Sequence, residues 1–355
     1  MREISAKTLL AVLMIAVCGG CKRPGNTQPT VVTSKTGQPS IDIQQVLSWL
    51  PLDTETITVA RGPFLIPYGP AEKETIRNRE LSGQELDHMF ESLPLAVFGL
   101  KADLLAKHLK SRPVMLAVEG ARHFRSPSGL GEMPFEGCGI AVFADALGGS
   151  GNAFVNASRE VALGVEEIEG VKVAVFQEKM ENDLWTTFVA FPNKNIVLVA
   201  TKRDYITEVL NRIQGCRNGQ RALPSNLPEW KYVDTDARFW GVRHFDKSQA
   251  NYDPSSPFGG RSSANFADEG AVGLTFNYDP SRRRSATITY PSGAKDVASN
   301  NPLSMGSEPS AKDLRFKSRE LESGVVEGSY NLVYSDAVGY FLFVLEGMLG
   351  HAIYI

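Results

Sequence analysis

The sequence predicts an α+β fold built mostly of antiparallel sheet, with a few packed helices. The chain has 355 residues, of which 43% are hydrophobic and 22% charged, ordinary values for a protein that buries a core. Short apolar runs and alternating apolar–polar segments, both typical of strands, recur between turn residues. Only a few segments have the spacing of three and four residues that indicates an amphipathic helix. A chain of this length suggests one large domain or two moderate ones.

The first predicted lobe spans residues 41–214 and begins with a short helix. Ile43, Val46 and Leu50 recur at helical spacing, and Pro51 ends the helix. The later elements are predicted helices over 85–91 (opened by a capping box of Ser82 and Glu85), 95–109 and 203–213, and predicted strands over 55–60, 114–118, 139–143, 171–176, 185–191 and 196–200. The last of these strands is apolar throughout, which indicates a strand covered on both faces.

A polar, proline-containing stretch over 214–228 marks the boundary to a predicted second lobe, residues 229–355. Its predicted strands lie near 237–244, 271–278, 285–290, 314–319 and 325–333, and its closing helix over 336–349. Each half therefore consists of several strands closed by one helix. This suggests two similar lobes from an internal duplication, although no sequence identity between the halves supports it. A single continuous domain over 41–355 is the alternative.

The N-terminus has the parts of an export signal. Arg2 and Lys7 make a positive start, residues 8–17 are apolar, and two glycines then precede Cys21. The apolar stretch is too short to cross about 30 Å of hydrocarbon as a helix. These parts also fit an ordinary secretory signal or a short uncleaved anchor.

The residues before Cys21 resemble the lipobox of bacterial lipoprotein signals, in which small residues precede a cysteine. This resemblance implies that residues 1–20 are a signal peptide cut after Gly20, and that Cys21 carries acyl chains such as palmitate. The pattern favours Leu where this chain has Cys18. Lipidation at Cys18 instead would place the larger Val17 at the cleavage position.

Residues 21–40 are predicted to form a flexible tether, because a segment rich in Pro, Gly, Thr, Ser and Gln buries too little apolar surface to order itself. Each buried lipid CH₂ contributes about 0.8 kcal/mol, so two or more chains anchor a protein stably. The lipobox resemblance thus implies an extracytoplasmic, lipid-anchored protein of the cell envelope, with the membrane as its first partner. Lys22 in place of Asp implies the outer membrane if the cell has two.

A second, very short resemblance lies at the start of the body. Pro51, Asp53 and Thr54 are similar to the Pro-x-Asp-Thr sequence with which some uncharacterised exported bacterial proteins open before a first strand. The match covers these residues only, and it implies no activity.

The sequence carries no recognisable motif for catalysis, metal or cofactor binding. With 37 basic and 40 acidic residues, the net charge is -3, and no run of Lys or Arg indicates nucleic-acid binding. None of the five histidines has zinc-site spacing. Hydrolase, penicillin-binding and phosphate-loop motifs are missing from the sequence. His244 and Asp246 could form half a site, but a water-exposed pair at a strand edge is the favoured interpretation.

After cleavage, Cys138 and Cys216 make one candidate disulfide, which an exported protein permits. Two separate buried thiols are the alternative, since sequence alone does not place the two sulfurs within bonding distance.

Two long loops are candidate interaction surfaces, because aromatics and Arg are common interface anchors. The residues concerned are His123, Phe124 and Arg125 in the first loop and Tyr252, Phe258 and Phe266 in the second. Burial of these aromatics at the edges of the core is the favoured alternative.

These observations favour a membrane-tethered lipoprotein with a non-catalytic binding or scaffolding role at the cell envelope, acting on a protein partner. One rival is an envelope hydrolase whose site is assembled from separate loops. The other is a carrier of an apolar ligand, which predicts an internal cavity lined by apolar strand faces.

Overall fold

The computed structural model of the chain describes part of its length. The described residues are 31–33, 39–66, 80–92, 94, 105, 108–109, 112–122, 136–159, 162–180, 183–215, 220–244, 273–279, 285–290, 317–322 and 324–332.

Strands dominate the described residues, and four helices accompany them. The strands are β1 (Val31–Thr33), β2 (Pro39–Ile41), β3 (Thr56–Phe64), β4 (Val114–Arg122), β5 (Glu136–Phe143), β6 (Gly164–Ile168), β7 (Val171–Met180), β8 (Asp183–Asn193), β9 (Ile196–Ala200), β10 (Phe239–His244), β11 (Gly273–Asp279), β12 (Ser285–Tyr290), β13 (Lys317–Glu322) and β14 (Val325–Asn331). The helices are α1 (Ile43–Trp49), α2 (Gly83–Ser92), α3 (Ser150–Ser158) and α4 (Arg203–Ile213), with a short 3-10 helix at Pro228–Lys231.

Twelve of the strands form one antiparallel sheet, in the order β13-β14-β12-β11-β10-β3-β4-β5-β9-β8-β7-β6. The remaining two, β1 and β2, pair with each other. The predicted α+β class with a mostly antiparallel sheet is therefore confirmed.

The centre of the sheet joins the two predicted lobes. There β3 pairs with β10, and Thr58 lies opposite Gly241. On one side of this pair, β3, β4 and β5 follow one another outward, and β6 to β9 then return from the edge. On the other side, β10, β11 and β12 follow one another outward, and β13 and β14 return from the edge. The two halves thus share a strand order while belonging to one unbroken sheet. Their separation into lobes stays a prediction.

One face of the sheet, the α4 face, packs against α1, α4 and the segment 220–237. Its core combines strand residues such as Val59, Ile140 and Leu198 with helix residues such as Leu47 and Ile206, all fully buried. All five residues of β9 are fully buried, which confirms the prediction of a strand covered on both sides.

The opposite face, the α2 face, carries an aromatic cluster. Phe90 of α2 stacks on Tyr278 at 4.0 Å between ring centroids and lies 5.2 Å from Phe239. Phe239 in turn lies 5.2 Å from Phe276. Farther along this face, Phe154 of α3 covers the strands near β7 and β8.

Two helices begin with capping contacts, of which the capping box of α2 was predicted. Asp42 accepts a hydrogen bond from the backbone N–H of Gln44 at 2.8 Å and so begins α1. Ser82 and Glu85 form the predicted capping box: the Ser82 N–H donates to the Glu85 carboxylate at 2.8 Å, and the Glu85 N–H donates to the Ser82 hydroxyl at 3.2 Å.

Several elements were not predicted. Strands β1 and β2 pair with each other at the end of the segment that was expected to be a flexible tether, residues 21–40, and the 3-10 helix was not expected either. Strand β6 contains Glu166 and Glu167, which the sequence indicates as a solvated turn, and helix α3 begins in a glycine-rich stretch. Strand β6 has only one neighbour among the described strands, β7. It therefore lies at the edge of the sheet, where water can solvate acidic side chains. In α3, Phe154 and Val155 supply the apolar face despite the glycines.

Candidate functional site

The candidate site lies where the 3-10 helix crosses the α4 face over β10 and β11. Three contacts hold this crossing in place. The rings of Trp230 and Trp240 meet edge to face with centroids 6.1 Å apart. The Asp234 N–H donates to the Asn277 side-chain oxygen at 2.7 Å, and the Asn277 side-chain NH₂ donates to the Tyr232 carbonyl at 3.3 Å. A proline at the start of the 3-10 helix fixes its entry, as proline commonly does at a first helical position.

The central contact of the site joins His244, at the end of β10, to Glu229 in the 3-10 helix. The imidazole Nδ1 lies 2.9 Å from the carboxylate Oε1, so the ring N–H donates and the carboxylate accepts. Glu229 is fully buried, whereas the His244 side chain is 29% exposed. The carboxylate therefore orients a histidine that reaches the surface.

Three buried polar atoms belong to the segments that meet at this crossing. They are Glu229 Oε2, the indole Nε1 of Trp240 and the hydroxyl of Thr275, and none has a hydrogen-bond partner within the described residues. The three side chains are 0% exposed. Leaving such a group without a partner costs about 1–3 kcal/mol. A native protein rarely accumulates several such groups unless water or a ligand binds them.

Strand register places these groups on one face. Trp240 lies opposite Asn277, and Thr275 lies opposite Val242, between the positions of Trp240 and His244. Because side chains alternate across a strand, these residues all face the 3-10 helix. We call Glu229, Trp240, His244 and Thr275 the Trp240 cluster.

The rim of the cluster is charged but internally paired. Lys231 contacts both oxygens of Glu322 at 2.7 and 2.8 Å, and the Tyr232 hydroxyl also bonds to Glu322. The guanidinium of Arg221 lies 4.4 Å from the centroid of the Trp230 ring, and burial lowers the pKa of this arginine. The unmatched groups therefore lie inside the cluster and not at its rim.

A second polar cluster is structural and surrounds Arg122. This residue donates to Asp53 at 2.9 Å and to Glu136 at 2.6 Å, and it lies 5.2 Å from the centroid of the Tyr205 ring. The Tyr205 hydroxyl bonds to Thr54 at 2.8 Å. Asp53 and Thr54, which carry the short Pro-x-Asp-Thr resemblance, thus fasten the turn after α1 to β4, β5 and α4. We call this group the Arg122 clasp.

The Arg122 clasp explains the charge state of its arginine. Burial alone would lower the pKa of Arg122, but hydrogen bonds and the negative charges of Glu136 and Asp53 outweigh it and raise the pKa. The guanidinium stays charged and already has carboxylate partners, so the clasp needs no ligand.

Cys138 is fully buried on β5, and its thiol forms no disulfide with a described residue. Burial, and then the negative charge of Glu119, raise its pKa far above the ordinary value, while a backbone hydrogen bond from Val199 opposes the shift. A thiol of this kind is a poor nucleophile. Cys216 lies outside the described residues, so the predicted disulfide stays a prediction.

Most residues singled out from the sequence also lie outside the described part. These are Cys21, His123, Phe124, Arg125, Tyr252, Phe258, Phe266 and Asp246. Of the predicted half-site, His244 is described, and its carboxylate partner is Glu229 from a distant segment.

Sequence reasoning missed the rest of the Trp240 cluster. Glu229 follows a proline in a stretch that indicated a boundary, and Trp240 lies in a strand whose other residues indicated ordinary packing. Thr275 lies on a different strand. The sequence does show Glu229 and Trp230 shortly before the strand that carries Trp240 and His244. Only the pairing of that strand with β11, however, brings Thr275 to the same place.

Apart from these clusters, an open depression lies beside β6. It is lined by charged side chains, including Arg159, Glu167 and Lys172, together with the exposed Leu163. No group of three or more His, Cys, Asp or Glu side chains in the described ranges could hold a metal ion. No helix within those ranges is long and apolar enough to cross a bilayer.

Comparison with known proteins gives little. No protein-family model matches the chain, and no curated protein is significantly similar in sequence. Among solved structures, crystal form IV of TP0453 is similar with a TM-score of 0.39 and 11% sequence identity, over 80% of this chain and 91% of that chain. A likeness at this level carries no argument about fold or function.

Proposed function

We propose that the protein is a lipoprotein of the cell envelope, tethered through lipidated Cys21, whose sheet domain binds a ligand or partner without transforming it. The observation that carries the anchor is the N-terminal sequence: a positive start, a ten-residue apolar stretch and two glycines before Cys21. If the cell has two membranes, Lys22 favours the outer one.

The Trp240 cluster supports the binding role. Its buried carboxylate, indole N–H and hydroxyl are groups suited to recognition, and the rings of Trp230 and Trp240 lie beside each other in the same cluster. A few oriented polar groups among aromatic residues are typical of a small-molecule site.

Metabolic labelling with an alkyne analogue of palmitate tests the anchor. We expect the wild-type chain to be labelled and to partition with membranes, and a Cys21→Ala variant to lose both properties. Cys18→Ala is the matched control and should remain labelled. Label retained in Cys21→Ala and lost in Cys18→Ala would move the lipid site, and label in neither the wild type nor the variants would refute the anchor.

Crosslinking in intact cells of the source organism tests a protein partner. A discrete crosslinked species that disappears in Cys21→Ala would support a tethered scaffolding role. Crosslinks no richer than those of an unrelated envelope protein would instead restrict the binding role to small ligands.

The contact between His244 and Glu229 favours one second candidate, an envelope hydrolase. A carboxylate that orients an imidazole is the arrangement by which many enzymes position a general base. A screen with ester, phosphoester and glycoside substrates tests it. Turnover by the wild type that His244→Gln abolishes would favour the hydrolase over the binding protein.

A further inference from the structure

We infer that the Trp240 cluster binds a small, uncharged, polyhydroxylated ligand of the sugar type. This inference rests on the proposed binding function and specifies the chemical class that the cluster would recognise. The three buried atoms require complementary partners: Glu229 Oε2 accepts, the Trp240 indole donates, and the Thr275 hydroxyl does either. Hydroxyl groups both donate and accept, so a ligand that carries several hydroxyls offers each of the three atoms a partner of the right kind.

The charges of the cluster disfavour an anionic ligand. Glu229 is fully buried, and its neighbour His244 already donates to it. Lys231, a cation at the rim, is held by Glu322. An anion entering the cluster would therefore meet a carboxylate in a poorly solvated region, where repulsion between like charges is strong.

A cationic ligand is disfavoured by a different group. Aromatic rings next to a carboxylate can bind ammonium groups. Here, however, the Arg221 guanidinium lies over the Trp230 ring at 4.4 Å, so the protein's own cation occupies that position. An uncharged ligand can pack its C–H surface beside Trp240 without competing with Arg221.

Ligand titration observed through the indole N–H of Trp240 tests this inference. The full-length protein would be labelled with ¹⁵N-tryptophan and kept in solution with a polyoxyethylene detergent. Detergents with maltoside or choline headgroups are avoided, because those headgroups could themselves bind as ligands. The Trp240 signal is identified by its loss in Trp240→Phe. The probes are glucose and N-acetylglucosamine, with choline as the cationic and inorganic phosphate as the anionic comparison.

We expect at least one of the two sugars to shift the Trp240 signal saturably. Thr275→Val and Glu229→Gln should each weaken that binding roughly tenfold, because each removes one hydrogen bond or its charge assistance. Thr58→Val is the matched control. Its hydroxyl is also buried and without a partner in the described residues, but it lies on the α2 face, so sugar binding should not change.

The remaining outcomes overturn the inference. A saturable shift with choline or phosphate and none with either sugar would refute the ligand class and leave the binding function standing. If no probe moved the Trp240 signal, the cluster would hold water only and the inference would be wrong. The palmitate labelling would still test the lipid anchor independently. Equal weakening by Thr58→Val would show that the substitutions act through general stability.

Discussion

Arg122 is the residue through which four parts of the chain are fastened together. We expect Arg122→Ala to lower the free energy of unfolding by about 1–2 kcal/mol, because Asp53 and Glu136 lose a shared charged donor that is only partly exposed. Urea denaturation measures the change. Arg203→Ala is the control: this residue forms an ion pair with Glu166 but is 59% exposed, so its loss should cost within about 0.5 kcal/mol. Equal effects would contradict a special role for the clasp.

Cys138 makes stability depend on alkaline pH. The folded thiol has a raised pKa, so it stays protonated while the thiol of the unfolded chain ionises near pH 8.5. The stability it contributes is therefore present below that pH and lost above it, by about 1.4 kcal/mol per pH unit. Urea denaturation of wild type and Cys138→Ala between pH 7 and 10 checks this. The advantage of the wild type should shrink above pH 8.5, and a constant difference would contradict the prediction.

At the scale of elements, the β10–β11 pairing depends on Gly241. A Cβ at this position would overlap the Phe276 ring and approach the Ile57 carbonyl oxygen to 2.7 Å. We expect Gly241→Ala to destabilise the fold by about 1–3 kcal/mol through overpacking, measured by urea denaturation.

Two matched variants test that explanation. Adding Phe276→Leu to Gly241→Ala should recover part of the loss by removing the ring. Gly83→Ala, in α2 with nothing within 4 Å of the added Cβ, should leave stability unchanged or slightly higher. A failure of Phe276→Leu to rescue would place the strain at the Ile57 backbone instead.

Individual elements were predicted where local physics decides them. The buried strand β9, the apolar spacing of α1 and the capping box of α2 all depend on residues within a few positions of one another. Strand β6 and helix α3 were missed because acidic and glycine-rich sequences favour turns locally, and tertiary placement overrides that preference. The candidate site depends on still longer distances. Glu229, Trp240 and Thr275 meet only after the 3-10 helix crosses two paired strands, so the sequence offered His244 alone.

At the scale of the whole molecule, the continuous sheet predicts cooperative unfolding. Strand β3 of the first predicted lobe bonds to β4 on one side and to β10 of the second on the other, so unfolding of either lobe would expose the partner strand of the other lobe. We expect a single urea transition, with tryptophan fluorescence and far-ultraviolet circular dichroism giving the same midpoint.

A substitution in either half should move that transition as a whole. Val59→Ala in β3 and Val197→Ala in β9 remove fully buried methyl groups and should lower the midpoint with both probes together. Tyr330→Leu in β14 tests the other half. Two separated transitions would contradict one cooperative unit and favour independent lobes.

Within the described residues the sheet ends in two edge strands, which would matter at a membrane surface if the proposed anchor concentrates the protein there. These are β6 and β13, each with one described neighbouring strand, so each molecule offers two rows of backbone groups to its neighbours. Charged side chains lie on both edge strands: Glu166 and Glu167 on β6, and Arg319, Glu320 and Glu322, with an irregular register, on β13. Molecules concentrated in two dimensions by a lipid anchor would collide edge to edge far more often than in solution. We expect the charged edge strands to oppose backbone pairing between molecules in such collisions.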